Sequence, residues 1–188
     1  MIVALHPKRM EKHTNNNMKR IQKLVGVEEE LEMISLLAKR LKGDGWNSSN
    51  SIIITVSTDY SSIVGQILRH ELSYEGEICE GFGIDVPYPD EEWNEKYVDE
   101  LSRTLKIHSN SFVGKIPILV EAGVIRGGNY TFVTDWMRRY LGWDKRIVTL
   151  AMYENIESVW KSDYVGEYYN DMLEDLTFWG EKWNRHWK

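Results

Sequence analysis

The sequence predicts an α/β fold in which a mainly parallel, twisted sheet is flanked by helices, in a Rossmann-type three-layer arrangement with a smaller, less regular region. The first observation is a set of short apolar, β-branched runs, typical of strands buried on both faces: Ser51–Val56, Ile116–Val120 and Arg146–Tyr153. The second is that helix-like segments separate these runs. Strands that alternate with helices form a mainly parallel sheet with right-handed crossovers.

The first predicted helix covers Val27–Lys42. Its apolar residues recur at three- and four-residue spacing and form one stripe: Leu31, Ile34, Leu37, Ala38 and Leu41. The segment Gly43-Asp44-Gly45 ends this helix. Residues 1–27 are polar and mixed, and we interpret them as an N-terminal extension of a single domain that covers residues 28–188.

The segment after the first strand predicts a turn and a second helix. Ser57–Ser62 carries residues that commonly cap helices, and the helix continues over Ile63–Leu72. Residues 73–111 are the least regular part of the chain, and we interpret them, with the C-terminal tail, as variable or hood elements. Within them, Glu77–Phe82 is a candidate strand and Glu92–Leu105 is a candidate helix.

The second strand leads into the most informative segment of the chain. The apolar run ends at Glu121, a loop with Gly127 and Gly128 follows, and the next helix covers Phe132–Tyr140. This order is typical of a phosphate or ribose site. Amides at a helix N-terminus bind anions, and glycine lets a ligand approach the backbone closely.

The loops that follow the three strands are expected to converge. Carboxyl ends of parallel strands lie at one edge of a sheet, where ligands of open α/β folds bind. The loops in question are residues 57–62, 121–131 and 153–166. The sequence therefore predicts one composite site at this edge.

Composition excludes several classes of protein. The chain has 188 residues, the size of one ordinary domain, and a formal net charge of −6, which argues against a specific nucleic-acid partner. No apolar run approaches the roughly 20 residues that span a bilayer, and no signal-peptide pattern is visible, so we expect a cytoplasmic protein without a membrane partner. The single cysteine, Cys79, excludes an intrachain disulfide.

Over roughly residues 28–187 the order of parts resembles a type I phosphoribosyltransferase of the purine-using kind. The family signature consists of apolar residues, two acids and a Thr/Gly-rich loop, and the segment from Ile118 to Thr131 is similar to it. The segment Lys161-Ser162-Asp163-Tyr164-Val165 resembles the Lys and the Asp-Tyr-Val that purine-using members carry beside the base. Trp179 resembles their C-terminal Trp.

The resemblance implies transfer of phosphoribose from phosphoribosyl pyrophosphate (PRPP) to a purine-like nucleobase, with Mg²⁺ as cofactor. Glu121 is the implied catalytic residue and, with Asp59, a candidate Mg²⁺ ligand. The implied residues for the PRPP phosphate are Arg126, Gly127, Gly128, Asn129, Tyr130 and Thr131. The implied pyrophosphate loop is Ser57, Thr58, Asp59 and Tyr60. The implied base-binding residues are Lys161, Tyr164 and Trp179.

The partners that the resemblance implies are PRPP and a nucleobase or nucleotide, and a homodimer is a candidate assembly. The chain also differs from the family pattern. The family carries a second acid where this chain has Ala122, and a loop acid where it has Ile125, or Arg126 if one residue is inserted. These differences leave open a protein that binds a nucleotide or phosphosugar in a regulatory role, without transfer.

Ordinary structural roles are the alternative for the individual residues. Glu121, Arg126 and Lys161 could be solvated surface groups, and Gly127-Gly128 could be an ordinary turn. The position of Asp59 favours a helix N-cap.

The tryptophan-rich end of the chain also has two interpretations. Trp179, Trp183 and Trp187 recur at four-residue spacing, which favours a helix stripe packed on the core over three base-stacking residues. A tail rich in Trp and Tyr could also mediate self-association. A divergent interaction protein is therefore a third hypothesis.

Overall fold

The described part of the chain is built around a parallel β-sheet. The structure, a computed structural model, describes residues 22–24, 26–56, 60–86, 99, 101–104, 109–170 and 175–177. The strands are β1 (Gln22–Leu24), β2 (Ser51–Val56), β3 (Gly81–Ile84), β4 (Ile116–Val124), β5 (Val148–Asn155), β6 (Tyr164–Tyr169) and β7 (Asp175–Thr177). The long helices are α1 (Val27–Gly43), α2 (Tyr60–Glu71) and α3 (Gly128–Leu141), and a short 3-10 helix covers Ser109–Phe112.

The main sheet has five strands in the order β3-β2-β4-β5-β6, and every neighbouring pair is parallel. One face of the sheet packs against the buried residues of α1 and α2, including Leu37 and Leu68. The other face packs against α3 through residues such as Val133 and Met137. The predicted three-layer α/β fold with a parallel sheet is therefore confirmed.

The elements up to α2 follow the predicted ones closely, with one correction at the start of α2. Strand β2 has the predicted bounds, and α1 ends one residue later than predicted, at Gly43. Helix α2 begins at Tyr60, so Tyr60, Ser61 and Ser62 are helical, whereas the sequence predicted a turn there. The reason is packing, because the Tyr60 side chain is buried in the same cluster as Val64 of the next turn.

The third strand begins later than predicted. Residues 74–77 form a tight turn closed by hydrogen bonds between Tyr74 and Glu77, so the chain pairs with β2 only from Gly81 onward. Strand β3 is one of the two edge strands of the main sheet, although it lies inside the segment that the sequence marked as variable. Of the predicted helix Glu92–Leu105, the described residues are 99 and 101–104, and they are helical.

Strand β4 is longer than predicted, and this changes the position of its acid. The sequence predicted a strand that ends at Val120, but pairing with β5 continues through Gly123 and Val124. The glycine in this stretch indicated a loop, yet a fully buried neighbouring strand supports continued pairing. Glu121 therefore lies within the strand and not in the loop after it.

A second, two-stranded sheet pairs the parallel strands β1 and β7. It joins residues just before α1 to a segment near the C-terminus. Trp179, Trp183 and Trp187 lie outside the described residues, so their roles stay predictions. In the described part of the chain, no helix is long and apolar enough to cross a membrane.

Candidate functional site

The strand order places a crevice between the carboxyl ends of β2 and β4. The chain places β3 on one side of β2 and then β4 on the other side. Ligands of open α/β sheets bind at such switch points in the strand order. The β2–β4 ladder ends at the pair Thr55 and Val120, whereas β4 continues to Val124 beside β5. Glu121 therefore lies beside the end of β2, and residues 122–124 extend beyond it along the side of this crevice.

Glu121 is the buried acid at this position. Its side chain is 8% exposed. The Nδ2 of Asn129, from the first turn of α3, donates a hydrogen bond of 2.6 Å to its Oε1. Its Oε2 is buried and has no hydrogen-bond partner among the described residues. A buried carboxylate oxygen without a donor is costly, so this atom is suited to accept a hydrogen bond from a ligand.

The burial of Glu121 has an electrostatic consequence. Burial raises the pKa of its carboxyl from 4.5 to about 7, and the hydrogen bond from Asn129 offsets only part of that shift. The group therefore titrates close to neutral pH. Ionising it in the folded protein is opposed by a free energy of about 3 kcal/mol, since one pKa unit is worth about 1.4 kcal/mol.

We expect Glu121→Gln to stabilise the protein above neutral pH and to change little at pH 5. The carboxyl pKa is raised on folding, so its contribution to stability is full below about 4.5 and is lost as the pH rises through about 7. Glutamine does not titrate and keeps the acceptor for Asn129. Urea unfolding of both proteins at pH 5 and pH 8 measures the difference, which should reach about 3 kcal/mol at most. Equal differences at the two pH values would contradict the assigned pKa.

The loop after β4 leads directly into an uncapped helix N-terminus. Gly127 has a φ of 78°, in the left-handed region, and α3 begins at Gly128 without a side-chain cap. The backbone N–H of Thr131 donates to the Gly127 carbonyl at 3.0 Å, and the Thr131 hydroxyl donates to the same oxygen at 3.1 Å. The earlier N–H groups of the helix have no intrahelical acceptor, and they are suited to bind an anion.

The other residues predicted to bind phosphate have different surroundings. Arg126 is exposed in the loop, where its guanidinium is accessible to a ligand. The Tyr130 ring is fully buried, and its hydroxyl donates to the Leu150 carbonyl, so its backbone amide is the part that faces the helix terminus. The side chain of Asn129 holds Glu121 instead of pointing at a phosphate.

The loops after β4 and β5 are in contact. Gly127 packs against Trp160, and a Cβ on Gly127 would lie 2.1 Å from the Trp160 Cβ. The Trp160 ring also packs against Tyr130, with 5.8 Å between the ring centroids. Two of the three loops that the sequence predicted to converge therefore meet at this edge. Of the third, residues 57–62, the last three belong to α2, and Ser57, Thr58 and Asp59 lie outside the described residues.

Tyr60, the last residue of the predicted pyrophosphate loop, has its side chain in the core. Its hydroxyl donates a hydrogen bond to Glu30 of α1. Burial and this carboxylate raise the pKa of the Tyr60 hydroxyl. The phenol is therefore committed to the packing of α1 on α2.

Lys161 lies in the loop after β5 with its side chain partly open to solvent. The Nζ donates a 2.8 Å hydrogen bond to the Ile156 carbonyl and lies 3.8 Å from the Oε1 of Glu154. The side chain of Lys161 is 56% exposed, whereas that of Glu154 is fully buried. Lys161 is thus held at the edge of the site. Its ammonium has three N–H donors, so at least one is left to bind a ligand.

Tyr164, the second predicted base-binding residue, does not reach this edge. It pairs with Leu150 near the start of β5. Its hydroxyl donates to Asp44 at 2.5 Å and accepts from the Trp46 indole at 3.0 Å, and both of these residues follow the C-terminus of α1. The ring therefore lies toward the opposite edge of the sheet. The structure does not bring Tyr164 together with Glu121, and Trp179 is outside the described residues.

Replacing Tyr164 by phenylalanine should lower stability by about 1 kcal/mol and leave nucleotide affinity unchanged. The variant lacks the hydroxyl that is hydrogen-bonded to Asp44 and Trp46. It changes no contact at the edge of the sheet where the strands have their carboxyl ends. Urea unfolding and calorimetric titration with a nucleoside monophosphate measure the two effects. Tyr168→Phe is the matched control, because that ring is 56% exposed on the same strand and should change neither. Weaker nucleotide binding by Tyr164→Phe would contradict its placement.

The acids that distinguish the family signature are absent from two positions here. Ala122 is buried on the α2 side of the sheet, and its N–H donates to the Ser61 hydroxyl at 3.0 Å. Ile125, in the loop, is 60% exposed. Neither position supplies a carboxylate, so Glu121 stands without the second acid at this crevice.

The implied Mg²⁺ would have few protein ligands among the described residues. They contain no cluster of three or more side chains of the metal-binding types. Mg²⁺ is usually held by one or two carboxylates together with substrate phosphates. Glu121 with its unpartnered Oε2 fits that pattern, provided that the substrate brings most of the ligands.

Sequence reasoning missed two contributors to this site. It treated Asn129 only as a phosphate contact, and it did not consider Glu154. The signal for Glu154 was present, because it is an acid at the carboxyl end of a strand that is buried throughout. For Asn129 the signal is weaker, because an amide in the first turn of a helix reaches the acid of the preceding strand only if the loop between them places it there.

Comparison with known proteins agrees with the fold. No protein-family model and no curated protein matches this sequence. A purine phosphoribosyltransferase from Pyrococcus horikoshii Ot3 is structurally similar, with a TM-score of 0.56 and 17% identity, over 84% of this chain and 92% of that one. The xanthine-guanine-hypoxanthine phosphoribosyltransferase of Helicobacter pylori is also similar, with a TM-score of 0.59 and 12% identity, over 88% of this chain and 98% of that one.

A third solved structure is also similar. It is a hypothetical protein from Neisseria gonorrhoeae with bound ppGpp, and it gives a TM-score of 0.57 and 17% identity over 88% of this chain and 96% of that one. Together these likenesses show that the chain has the fold of the type I phosphoribosyltransferases, as the sequence predicted.

Proposed function

We propose that the protein transfers phosphoribose from PRPP to a purine-like nucleobase in a Mg²⁺-dependent reaction. One observation carries the proposal. The buried Oε2 of Glu121 has no partner among the described residues, and the Asn129 bond ties Glu121 to the uncapped N-terminus of α3, at the crevice where the strand order reverses. The acceptor suits a ribose hydroxyl, and the helix N-terminus beside it suits a phosphate on the same ribose.

Each part of the substrate has a proposed contact. A ribose hydroxyl donates to Glu121 Oε2, and the backbone amides of residues 126–130 bind the 5-phosphate, with Arg126 adding a charge-assisted contact. The loop of residues 57–60, with Asp59, is proposed to lie by the pyrophosphate. Lys161 donates to a carbonyl oxygen of the base, and Trp179 stays a candidate for stacking on it.

Positioning and electrostatics are the proposed source of the rate acceleration. Phosphoribosyl transfer develops positive charge on the ribose ring, and a Glu121 carboxylate that accepts from the ribose hydroxyls would stabilise that charge. Mg²⁺, when bound, would neutralise the pyrophosphate leaving group. Glu121 and Asp59 are the residues of this chain that would hold it.

The comparisons support a purine-like acceptor. The Helicobacter pylori protein is named for xanthine, guanine and hypoxanthine, which all carry an oxo group on the six-membered ring. The exposed Lys161 ammonium is a hydrogen-bond donor for such an oxygen. A cytoplasmic location and a homodimer are kept as parts of the proposal and are to be tested by fractionation and by size measurement.

Turnover tests the proposal. Purified protein is incubated with PRPP, Mg²⁺ and each base of a panel that includes hypoxanthine, guanine, xanthine and adenine, and pyrophosphate release is measured. We expect release that depends on both Mg²⁺ and an oxopurine. No release with any base, while the protein is folded, would exclude the transferase.

A second candidate is a protein that binds a nucleotide or phosphosugar without transfer. Ala122 and the exposed Ile125 favour it, because the positions that hold acids in the family carry none here. The Neisseria gonorrhoeae structure with bound ppGpp is consistent with nucleotide binding on this fold. Calorimetry separates the candidates, because binding of PRPP or a nucleoside monophosphate without turnover supports the second, and absence of all binding rejects both.

A further inference from the structure

The carboxylate of Glu154 is fully buried at the end of β5 and is directed at the loop that carries Lys161. Its Oε2 accepts a 2.8 Å hydrogen bond from the backbone N–H of Ser162. Its Oε1 is buried and has no hydrogen bond among the described residues. The Nζ of Lys161 lies 3.8 Å from that oxygen. A single glutamate thus contacts two consecutive residues of the loop.

The same loop is also fixed by the next residue of β5. The Oδ1 of Asn155, which is 1% exposed, accepts from the Glu157 N–H at 2.7 Å. The Asn155 carbonyl accepts from the Ser158 N–H at 2.9 Å. The start of the loop is therefore held by Asn155 and its end by Glu154, so the loop has little freedom to reposition the Lys161 side chain.

A fully buried carboxylate needs strong local compensation, because removing its charge from water is costly. One peptide N–H compensates Oε2 of Glu154, and the Lys161 ammonium is the cation beside Oε1. The ammonium lies between this oxygen and the Ile156 carbonyl, at 2.8 Å from the latter. These two contacts fix its position and leave at least one of its three donors for a ligand.

We propose that Glu154 is a positioning residue, which holds the Lys161 ammonium where it donates to an oxo group of the bound base. The inference rests on the proposed function and extends it, since it assigns the discrimination between oxo and amino purines to the Glu154–Lys161 pair. An oxo group accepts a hydrogen bond from the ammonium. An amino group at the same position is itself a donor and leaves the ammonium without a partner.

Two nucleotides that differ at this group test the proposal by calorimetry: inosine monophosphate (IMP) with an oxo group and adenosine monophosphate (AMP) with an amino group. We expect the wild-type protein to bind IMP roughly tenfold more tightly than AMP, or more, because a polar site rejects the mismatched analogue. Glu154→Gln keeps an acceptor for the Ser162 N–H but removes the charge, and it should reduce that ratio below about threefold. Affinity for ribose 5-phosphate should not change.

Two further variants sharpen the result. Lys161→Met should lose the same selectivity, and the double variant should lose no more than either single one, because the two residues act as a unit. Glu157→Gln is the matched control, since that glutamate is exposed in the same loop and should leave all three affinities unchanged. If Glu154→Gln does not fold, Glu154→Asp, which keeps the charge but shortens the side chain, replaces it and should also lose selectivity.

Several results would overturn the inference. Retained selectivity in the folded Glu154 variant, with selectivity lost in Lys161→Met, would show that Lys161 acts without Glu154. Equal weakening of IMP, AMP and ribose 5-phosphate would show a purely structural role for Glu154. Equal affinity of the wild-type protein for IMP and AMP would remove the proposed discrimination. Failure of the wild-type protein to bind either nucleotide would instead reject the proposed function, and the inference with it.

Discussion

Glu121→Ala should weaken PRPP binding roughly tenfold or more, because a hydrogen bond to a charged group is worth about 1.5–3 kcal/mol. The carboxylate contributes Oε2, which has no partner among the described residues, and its loss also frees Asn129 at the N-terminus of α3. Calorimetric titration with PRPP and Mg²⁺ at pH 8, where the carboxyl is ionised, measures the change.

The control for this variant is Glu71→Ala. Glu71 is at the C-terminal end of α2, is partly exposed and forms a surface ion pair with Lys42, so its removal should leave the affinity for PRPP unchanged. The effect of Glu121→Ala on PRPP affinity should also be smaller at lower pH, because the Glu121 carboxyl is protonated below about 7. Unaltered PRPP affinity in the Glu121 variant would mean that the likeness to phosphoribosyltransferases stops at the fold.

The second large effect is expected from Gly127→Ala, which should lower the stability by about 3 kcal/mol. Two causes add. A φ of 78° places an alanine in the left-handed region, which costs about 1–2 kcal/mol, and the new methyl group would overlap Trp160, which costs about 1–3 kcal/mol. For a protein of this size, that corresponds to a melting temperature lower by about 10 °C.

Two other glycines separate these causes. Gly142→Ala carries the strain of a φ of 61° without a neighbour within 4 Å, so it should show the backbone cost alone. Gly128→Ala has open space and an ordinary φ at the start of α3, so it should be neutral or slightly stabilising. If Gly127→Ala and Gly142→Ala lower the free energy of unfolding equally, the contact between the loops after β4 and β5 does not contribute to the cost of Gly127→Ala.

Much of the fold could be predicted because its signals are local. The β-branched run Ser51–Val56 gave the bounds of β2, and the apolar stripe of α1 gave that helix within one residue. The alternation of strands and helices was enough to predict a parallel sheet. By contrast, the start of β3 depends on a turn at residues 74–77 and on pairing with β2, which are not visible in the composition of the strand itself.

The site was predicted in part, and the differences have a physical origin. Glu121 was identified from its position after an apolar run, but its place inside β4 depends on the pairing of Gly123 with Tyr153 of the neighbouring strand. Tyr164 follows Lys161 by only a few residues, yet it is the first residue of β6 and pairs with Leu150 near the start of β5, away from the site. Proximity in sequence therefore did not give proximity in the site.

The burial of charged groups was the feature that sequence reasoning could predict least. Glu121 and Glu154 both lie in the carboxyl-terminal halves of buried strands, and the sequence gives no measure of how deeply each is covered. Their burial is what separates them from the solvated carboxylates elsewhere on the surface. It makes Glu121 titrate near neutral pH, and it makes Lys161 the natural partner of Glu154.

The central claim is that the crevice between β2 and β4 binds a phosphoribosyl group, and direct titration with PRPP tests it most simply. Purified wild-type protein is titrated with PRPP and Mg²⁺ in a calorimeter, and the titration is repeated in the presence of ribose 5-phosphate. We predict one site per chain, with an apparent affinity that falls as ribose 5-phosphate competes for it. Absence of binding, or binding that ribose 5-phosphate does not reduce, would contradict the claim.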